Sequence, residues 1–393
     1  MKKNEYLLKH QNTDVCFFRV NNASFDVEAL ELIDSKFFPA NLKSTKELIA
    51  ISFNNWLGSR CIPNSREGIE WIREKYNINS MKELMLAGDG LSLSDHYWIQ
   101  KKGDIKKWEE INYYDNGYSD ELGKALFNYK YIIGKKINES PDAALNGALR
   151  KRWVYNKKDK KSYLYKIGSE RFEQEPFNEY FATILLKKLN IKCVEYKLEK
   201  ENGKYVSSCP CGADNKTELV SADDIVRKYG IKKNYEEYIK LGEKRGITGF
   251  RDDINKMIAF DYIVRNTDRH WSNFGIVRDG KTGHWIEPTD IYDNGSILWN
   301  NDVIMKGESH SSSFGSTNEE CLKYIELGKY IKRLPDMVKL FDEVFKEYNG
   351  DNERKIRKEK IRICLKERVK EIQKIINKDI GKIRAEPVKM ARK

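Results

Sequence analysis

Short alternating runs of apolar and polar residues dominate the first half of the chain, and helical spacing takes over in the second. Val15-Cys16-Phe17-Phe18-Arg19-Val20 reads as a strand, and Ser65 to Tyr76 as a helix with Ile69, Trp71 and Ile72 on its apolar side. Ser162-Tyr163-Leu164-Tyr165-Lys166-Ile167-Gly168 alternates as a strand does, which puts Lys166 on the face opposite Tyr165 and Ile167. A helix then starts at Glu175, with Pro176 in its first turn and an apolar stripe through Phe177, Phe181, Ile184, Leu185 and Leu189; Glu179 lies off the centre of that stripe. Val194–Leu198 and Lys204–Val206 are expected to pair as a hairpin across Lys200-Glu201-Asn202-Gly203. From Ser221 the pattern is helical. Asp252-Asp253 opens a helix carrying Ile254, Met257, Ile258, Tyr262 and Ile263, which ends just before Asn266. Phe274–Val277 and His284–Glu287 form a second hairpin, and the chain from Asn318 onward is mostly helix, its last stripe running through Ile361, Leu365, Val369, Ile372 and Ile376.

This order, strands first and helices later, is that of an α+β chain. Three segments are expected: an accessory module over residues 1–125, a strand-rich segment over 126–220 and a helical one over 221–393. The first boundary falls at the turn and helix-start signal Asp115-Asn116-Gly117-Tyr118-Ser119-Asp120. Within the first module, Leu91–Ile99 is dense in aromatic and hydroxyl residues and reads as a core strand with a local side-chain turn at Ser94 or Asp95, the alternative being a ligand-site lining.

Composition narrows the class. At 40% hydrophobic and 12% aromatic the 393 residues are globular. No apolar run approaches the ~18–20 residues that cross a bilayer, and Met1-Lys2-Lys3-Asn4-Glu5 leads into no apolar signal region, so a cytoplasmic protein without membrane contact is expected. Seven scattered cysteines argue against a disulfide framework, and Cys209-Pro210-Cys211 lacks the second ligand pair of a zinc site. The net charge is +12, and residues 349–393 alone hold 16 Lys/Arg against 7 Asp/Glu. That segment is either a solvated helix face or a contact for nucleic acid or an acidic partner.

The candidate chemistry lies in Asn266-Thr267-Asp268-Arg269-His270-Trp271-Ser272-Asn273, followed by Asp293-Asn294-Gly295. An Asp and an Asn five positions apart in a loop, with a second Asp beyond a hairpin that folds back, form a phosphotransferase set. Asp268 would orient and deprotonate a hydroxyl. Asn273 and Asp293 supply the hard oxygen ligands that magnesium takes beside nucleotide phosphates. Asp290 competes with Asp293, which is favoured because Gly295 lets the backbone bend. His270 is expected to pack under the loop, and Arg269 either neutralises phosphate or pairs with an acid. Lys166 on its strand and Glu179 on the helix after it suit the pair that positions nucleotide.

These motifs, with Ile291-Tyr292-Asp293-Asn294-Gly295-Ser296, Asn178-Glu179-Tyr180 and Asn146-Gly147-Ala148-Leu149-Arg150-Lys151-Arg152-Trp153, resemble the HipA-like serine/threonine kinases of bacterial toxin–antitoxin systems, and more distantly phosphatidylinositol kinases. The resemblance spans roughly residues 135–345. It implies a bilobal protein-kinase-like fold, with residues 126–220 as N-lobe and 221–393 as helical C-lobe, and ATP with Mg2+ as cofactors. It further implies Asp268 as base, Asn273 and Asp293 on metal, Lys166 on the phosphates and Gly147 in the phosphate loop. Members of the family can phosphorylate a serine of that loop in themselves, and Ser140 is the hydroxyl residue between Gly134 and Trp153. A protein substrate and an antitoxin partner are implied, with nucleic acid met only through that partner. The chain departs from ordinary eukaryotic-type kinases in having no Gly-x-Gly-x-x-Gly loop and no His-Arg-Asp triplet. Two other readings stay open: a lipid or small-molecule kinase on the same site, and a nucleic-acid- or partner-binding protein with a degenerate kinase fold.

Overall fold

A computed structural model describes residues 4–128, 139–300, 302, 305, 309–311 and 313–390. In chain order its strands are β1 (Glu5–His10), β2 (Thr13–Val20), β3 (Val27–Leu32), β4 (Tyr97–Lys101), β5 (Lys151–Asn156), β6 (Lys161–Ile167), β7 (Lys197–Glu201), β8 (Lys204–Pro210), β9 (Thr217–Ser221), β10 (Gly275–Asp279) and β11 (Trp285–Pro288). The chain forms two compact units, each discontinuous in sequence. One comprises Met1–Ile167, Ser208–Lys232 and Gly275–Glu287; the other comprises Gly168–Ser207, Lys233–Phe274 and Pro288–Lys393. No helix among the described residues is long and apolar enough to cross a membrane.

The first unit is built on an antiparallel sheet ordered β3-β2-β1-β4. Alternation along β1 and β2 sends Tyr6, Leu8, Cys16, Phe18 and Val20 into one core with Phe38, Phe53 and Leu126. A second sheet has the order β11-β10-β9, and β5 and β6 form a hairpin in register Lys151↔Lys166. Two expectations shift here. The helix starts at Ile69, not Ser65, because Gly68 sits at φ 77 as its N-cap, a left-handed backbone that a glycine tolerates. The Leu91–Ile99 strand begins only at Tyr97: the Ser92 hydroxyl accepts from the amides of Ser94 and Asp95, and Asp95 accepts from the amide of Tyr97, so side chains capture the backbone that a ladder would use.

Buried in this unit is a charge network with no counterpart in the sequence reading. Glu218 Oε1 lies 2.8 Å from His10 Nε2 and accepts from Arg278 Nε at 2.8 Å, while Oε2 accepts from the His96 amide. Burial alone would raise the Glu218 carboxyl, but Arg278 and His10 hold it well below the carboxylate range. Burial likewise pushes the His10 imidazole below its ordinary value, against the pull of Glu218. His10, His96 and Glu218 lie close enough to share a metal ion. The His96 nitrogens, however, pair with Gln11 and the Asp214 carbonyl, and a guanidinium already sits on the carboxylate, so the cluster is a structural ion network.

In the second unit the Glu175–Lys188 helix carries Pro176 at its start and buries Phe177, Phe181, Leu185 and Leu186. β7 and β8 pair across Asn202 and Gly203, both at positive φ as a two-residue hairpin turn requires. The Phe250–Val264 helix is buried along nearly its whole length and delivers the loop discussed below. The Asn352–Met390 helix buries Ile361, Leu365, Ile372 and Ile376. Two of its basic residues lie on that buried stripe. Arg357 donates to the carbonyls of Trp299, Asn300 and Asp302 and to Gln174 Oε1, and Arg368 donates to the Tyr262 carbonyl and pairs with Glu319. Part of the basic excess is therefore internal scaffolding.

Candidate active site

The Phe250–Val264 helix stops at Arg265, whose φ of 56 is left-handed, and the amide of Asn266 folds back to the Asp261 carbonyl. Asn266 then shapes the loop. Its Nδ2 donates to Asp261 Oδ1 at 2.9 Å, and its Oδ1 accepts from the Asp268 amide at 3.0 Å, which points Asp268 out of the helix end toward solvent. The loop closes on itself through His270 N to Asp268 O and Asn273 N to His270 O. His270 Nδ1 accepts from the Ser272 amide, a local bond that stiffens the turn. Trp271 anchors the loop against Tyr238, Phe274 and Phe314, with its Nε1 donating to the Ser313 carbonyl.

Asn273 is buried, and its Nδ2 donates to the Asp268 carbonyl at 3.0 Å. That bond fixes the amide orientation and leaves Oδ1 as the acceptor for a cation. Asp293 comes from the segment after β11. Its φ of 55 is left-handed, which Asp tolerates better than most residues. Each neighbouring peptide is held. The Asp293 amide donates to Tyr196 Oη at 3.3 Å, the Asn294 amide donates to Glu179 Oε2 at 2.8 Å, and Asn178 Nδ2 donates to the carbonyls of Gly295 and Ile297. Although Asp268 is solvent-accessible, partial desolvation by the loop packed round it raises its carboxyl; His270 opposes and the Asp293 charge adds to the rise, so these two carboxylates feel each other. Asp290 lies by the Cys193–Ile291 bridge, where burial raises the Cys193 thiol and the Asp290 charge adds to the rise.

The donor set fits a magnesium ion. Asn273 Oδ1 and the Asp293 carboxylate are hard oxygen ligands from two segments, next to a second carboxylate, Asp268, whose ionisation the Asp293 charge opposes.

Of the two roles left open for Arg269, the structure shows the acid pair. The side chain is fully buried and meets Asp261 through Nε to Oδ2 at 3.0 Å and Nη2 to Oδ1 at 3.0 Å. Burial opposes its charge, but Asp261 raises the guanidinium above its ordinary value. Asp261 and Tyr196 were missed in the sequence, and Asn178 entered only as part of the Asn178-Glu179-Tyr180 motif, without its clamping role. Asp261 had a signal, being the one acid within Ile258-Ala259-Phe260-Asp261-Tyr262-Ile263-Val264, where an unpaired charge could not be buried. Tyr196 had none.

Asp268, Asn273, Asp293 and Glu179 belong to the second unit; Lys166, Gly147 and Ser140 belong to the first. Lys166 is buried on β6. Gly147 has φ 105 and its carbonyl accepts from Arg66 Nε at 2.9 Å; a Cβ there would come within 2.1 Å of Lys151 Nζ. Ser140 is buried as the N-cap of a short 3-10 turn, donating to Asp142 Oδ2 at 3.0 Å. Burial pushes the Asp142 carboxyl up to about 6. Residues 129–138, Gly134 among them, lie outside the described ones.

Residues 143–351 match the family described as HipA-like C-terminal domain. Among solved structures, one match is a chain from the Shewanella oneidensis MR-1 toxin–antitoxin system of HipA, HipB and operator DNA. It is 11% identical over 95% of this chain and 99% of that one, with a TM-score of 0.55. Another is the Helicobacter pylori proinflammatory kinase CtkA, 19% identical over 59% of this chain and 94% of that one, with a TM-score of 0.47. No curated protein sequence matches the chain. The mixed α/β architecture described above is thus the kinase-like one that HipA has.

Proposed function

The chain belongs to the HipA-like C-terminal domain family, and on that premise we propose that it is an ATP- and magnesium-dependent kinase acting on a serine or threonine hydroxyl of a protein. Asp268 orients that hydroxyl and accepts its proton. With a carboxyl raised only by burial and by Asp293, its main work is orientation, with proton transfer late along the path. Asn273 Oδ1 and Asp293 would hold the magnesium, which would supply positive charge to offset the charge developing on the nucleotide phosphates. Lys166 serves the phosphates as a point charge, Gly147 lies in the phosphate loop, and Glu179 supports the site from the Glu175–Lys188 helix through the Asn294 amide.

The observation that carries this reading is the joint restraint of Asp268, Asn273 and Asp293. One short loop and one clamped segment hold the three side chains, and two of them sense each other electrostatically. The family match supports extending the proposal to a toxin-like activity with an antitoxin partner and to a cytoplasmic location, where ATP and magnesium are plentiful. Self-phosphorylation at Ser140 requires its 3-10 turn to open, because the hydroxyl is buried.

The test is incubation of the purified chain with γ-labelled ATP and magnesium, alone, with a bacterial lysate and with a lipid panel. Protein labelling that disappears in Asp268→Ala supports the proposal. Label in lipids instead moves the acceptor class to a lipid kinase. Wild type and Asp268→Ala behaving alike, with no transfer, defeats the kinase reading; DNA binding that survives that substitution would then favour the degenerate-fold alternative.

A further inference from the structure

We propose that Arg269 is the positioning residue that sets the separation of the two metal-holding groups, Asn273 and Asp293, and so the affinity of the site for its divalent cation. This inference rests on the phosphotransferase reading. A guanidinium has five N–H donors in a rigid planar fork. Here each has an acceptor: Asp261 Oδ2 for Nε, Asp261 Oδ1 and Asn294 Oδ1 for Nη2, and the carbonyls of Asn273 and Tyr292 for Nη1. No donor is left for a phosphate, so the residue acts through its neighbours.

The choice of acceptors is what matters. Asn273 O belongs to one proposed metal-holding residue, at 3.0 Å. Tyr292 O and Asn294 Oδ1 bracket the other, Asp293, on both sides, with the Asn294 bond at 2.6 Å. Asp261, on the buried Phe250–Val264 helix, fixes the fork itself and also holds Asn266, which presents Asp268. One cation therefore ties loop, segment and helix. Without it, the loop and the Asp293 segment would keep the flanking links, Thr267 to the Ser296 carbonyl and Tyr292 Oη to the Ser272 carbonyl, and lose those that run directly between Asn273 and the two neighbours of Asp293. A lysine at this position has three donors on one nitrogen and cannot span acceptors lying on three segments.

The experiment is a manganese titration, followed by electron paramagnetic resonance, of the full chain with a non-hydrolysable ATP analogue. It compares wild type, Arg269→Lys and Asn294→Ala, with folding checked by circular dichroism. Expected are a rise of at least tenfold in half-saturating manganese for Arg269→Lys and of roughly threefold for Asn294→Ala, with metal-free nucleotide affinity within twofold of wild type. A merely structural role would lower the melting temperature and leave the metal titration where it was. Folded Arg269→Lys with wild-type manganese affinity overturns the proposal. Should Arg269→Lys not fold, Asn294→Ala, which keeps the Asp261 pair, decides in its place, and an unchanged titration there overturns it equally. Wild type that binds no manganese with the nucleotide is a different result, and it brings down the phosphotransferase reading itself.

Discussion

Asn178 offers the sharpest separation of shape from hydrogen-bonding chemistry. Its side chain is fully buried, and its Nδ2 donates to Gly295 O at 2.6 Å and Ile297 O at 3.0 Å, with Asn300 Oδ1 at 3.3 Å. Gln174 Nε2 donates to its Oδ1 at 3.1 Å, so the amide orientation is set from both ends. Asn178→Ala strips the donor from two buried carbonyls at roughly 1–3 kcal/mol for each group left unsatisfied, partly relieved where water enters, for a total of about 3 kcal/mol. For a unit of this size that is about 6–12 °C in melting temperature. Asn178→Asp keeps the shape but aims a carboxylate at three acceptors, with Gln174 as its one donor. Burying that charge, or protonating it to avoid doing so, adds several kcal/mol. The expected order in urea unfolding and in thermal melts is wild type, then Ala, then Asp, although Asp is the closer isostere. Because the same bonds hold the residues just after Asp293, labelling by ATP should fall at least tenfold in Asn178→Ala at a temperature where it remains folded. Asn178→Asp at or above the stability of Asn178→Ala would refute the donor argument.

Other predictions follow the same logic. Asp268 must be ionised to accept a proton, and burial and Asp293 raise its carboxyl, so the acid limb of the labelling rate should fall at a pH above the ordinary 3.8 of an aspartate; a profile flat to pH 4 in folded protein contradicts this. Glu218→Gln leaves Arg278 buried without a counter-charge and should destabilise by about 3–5 kcal/mol in urea, whereas a loss under 1 kcal/mol would show the network to be incidental. His10 is depressed below 6.5 in the folded chain, so the unfolded chain binds the extra proton first. Stability should therefore decline as pH falls from 6.5 toward the folded value, and a His10→Gln variant should lose that slope; an unchanged slope in the variant counts against the assignment. Burial pushes the thiols of Cys211 to about 12 and Cys193 to about 11, and the seven cysteines form no disulfide. Alkylation at pH 8 should be slow at both, with reductant leaving the unfolding midpoint unmoved; rapid modification of native Cys211 would contradict the burial.

Local rules were legible where local chemistry decides. Pro176 at the head of the Glu175–Lys188 helix, the Asn202-Gly203 turn and the end of the Phe250–Val264 helix before Asn266 all follow from residues within a few positions of one another. Gly68 escaped because its left-handed backbone is a decision of the fold, and the Ser92–Asp95 turn escaped because hydroxyl-rich strands and side-chain turns share a composition. The spacing from Asp268 to Asn273 is a loop property and visible as such. What grips that loop is not, because Asp261, Asn178 and Tyr196 act on segments between 5 and 119 positions away; the lone acid of an apolar helix and a motif asparagine stand out in the chain, but their partners do not. Arg269 was ambiguous for the same reason: a guanidinium suits phosphate and carboxylate equally, and only its burial against Asp261 separates them. Arg357 and Arg368 looked like surface charge and lie on the apolar stripe instead, where each works as a buried donor to backbone carbonyls.

A structure of the chain soaked with magnesium and a non-hydrolysable ATP analogue tests the central claim most directly. The account predicts a cation at about 2.0–2.2 Å from Asn273 Oδ1 and from an Asp293 oxygen, with the terminal phosphate beside Asp268. A nucleotide bound with its metal held by other groups, and Asn273 and Asp293 still turned to their present partners, would contradict it.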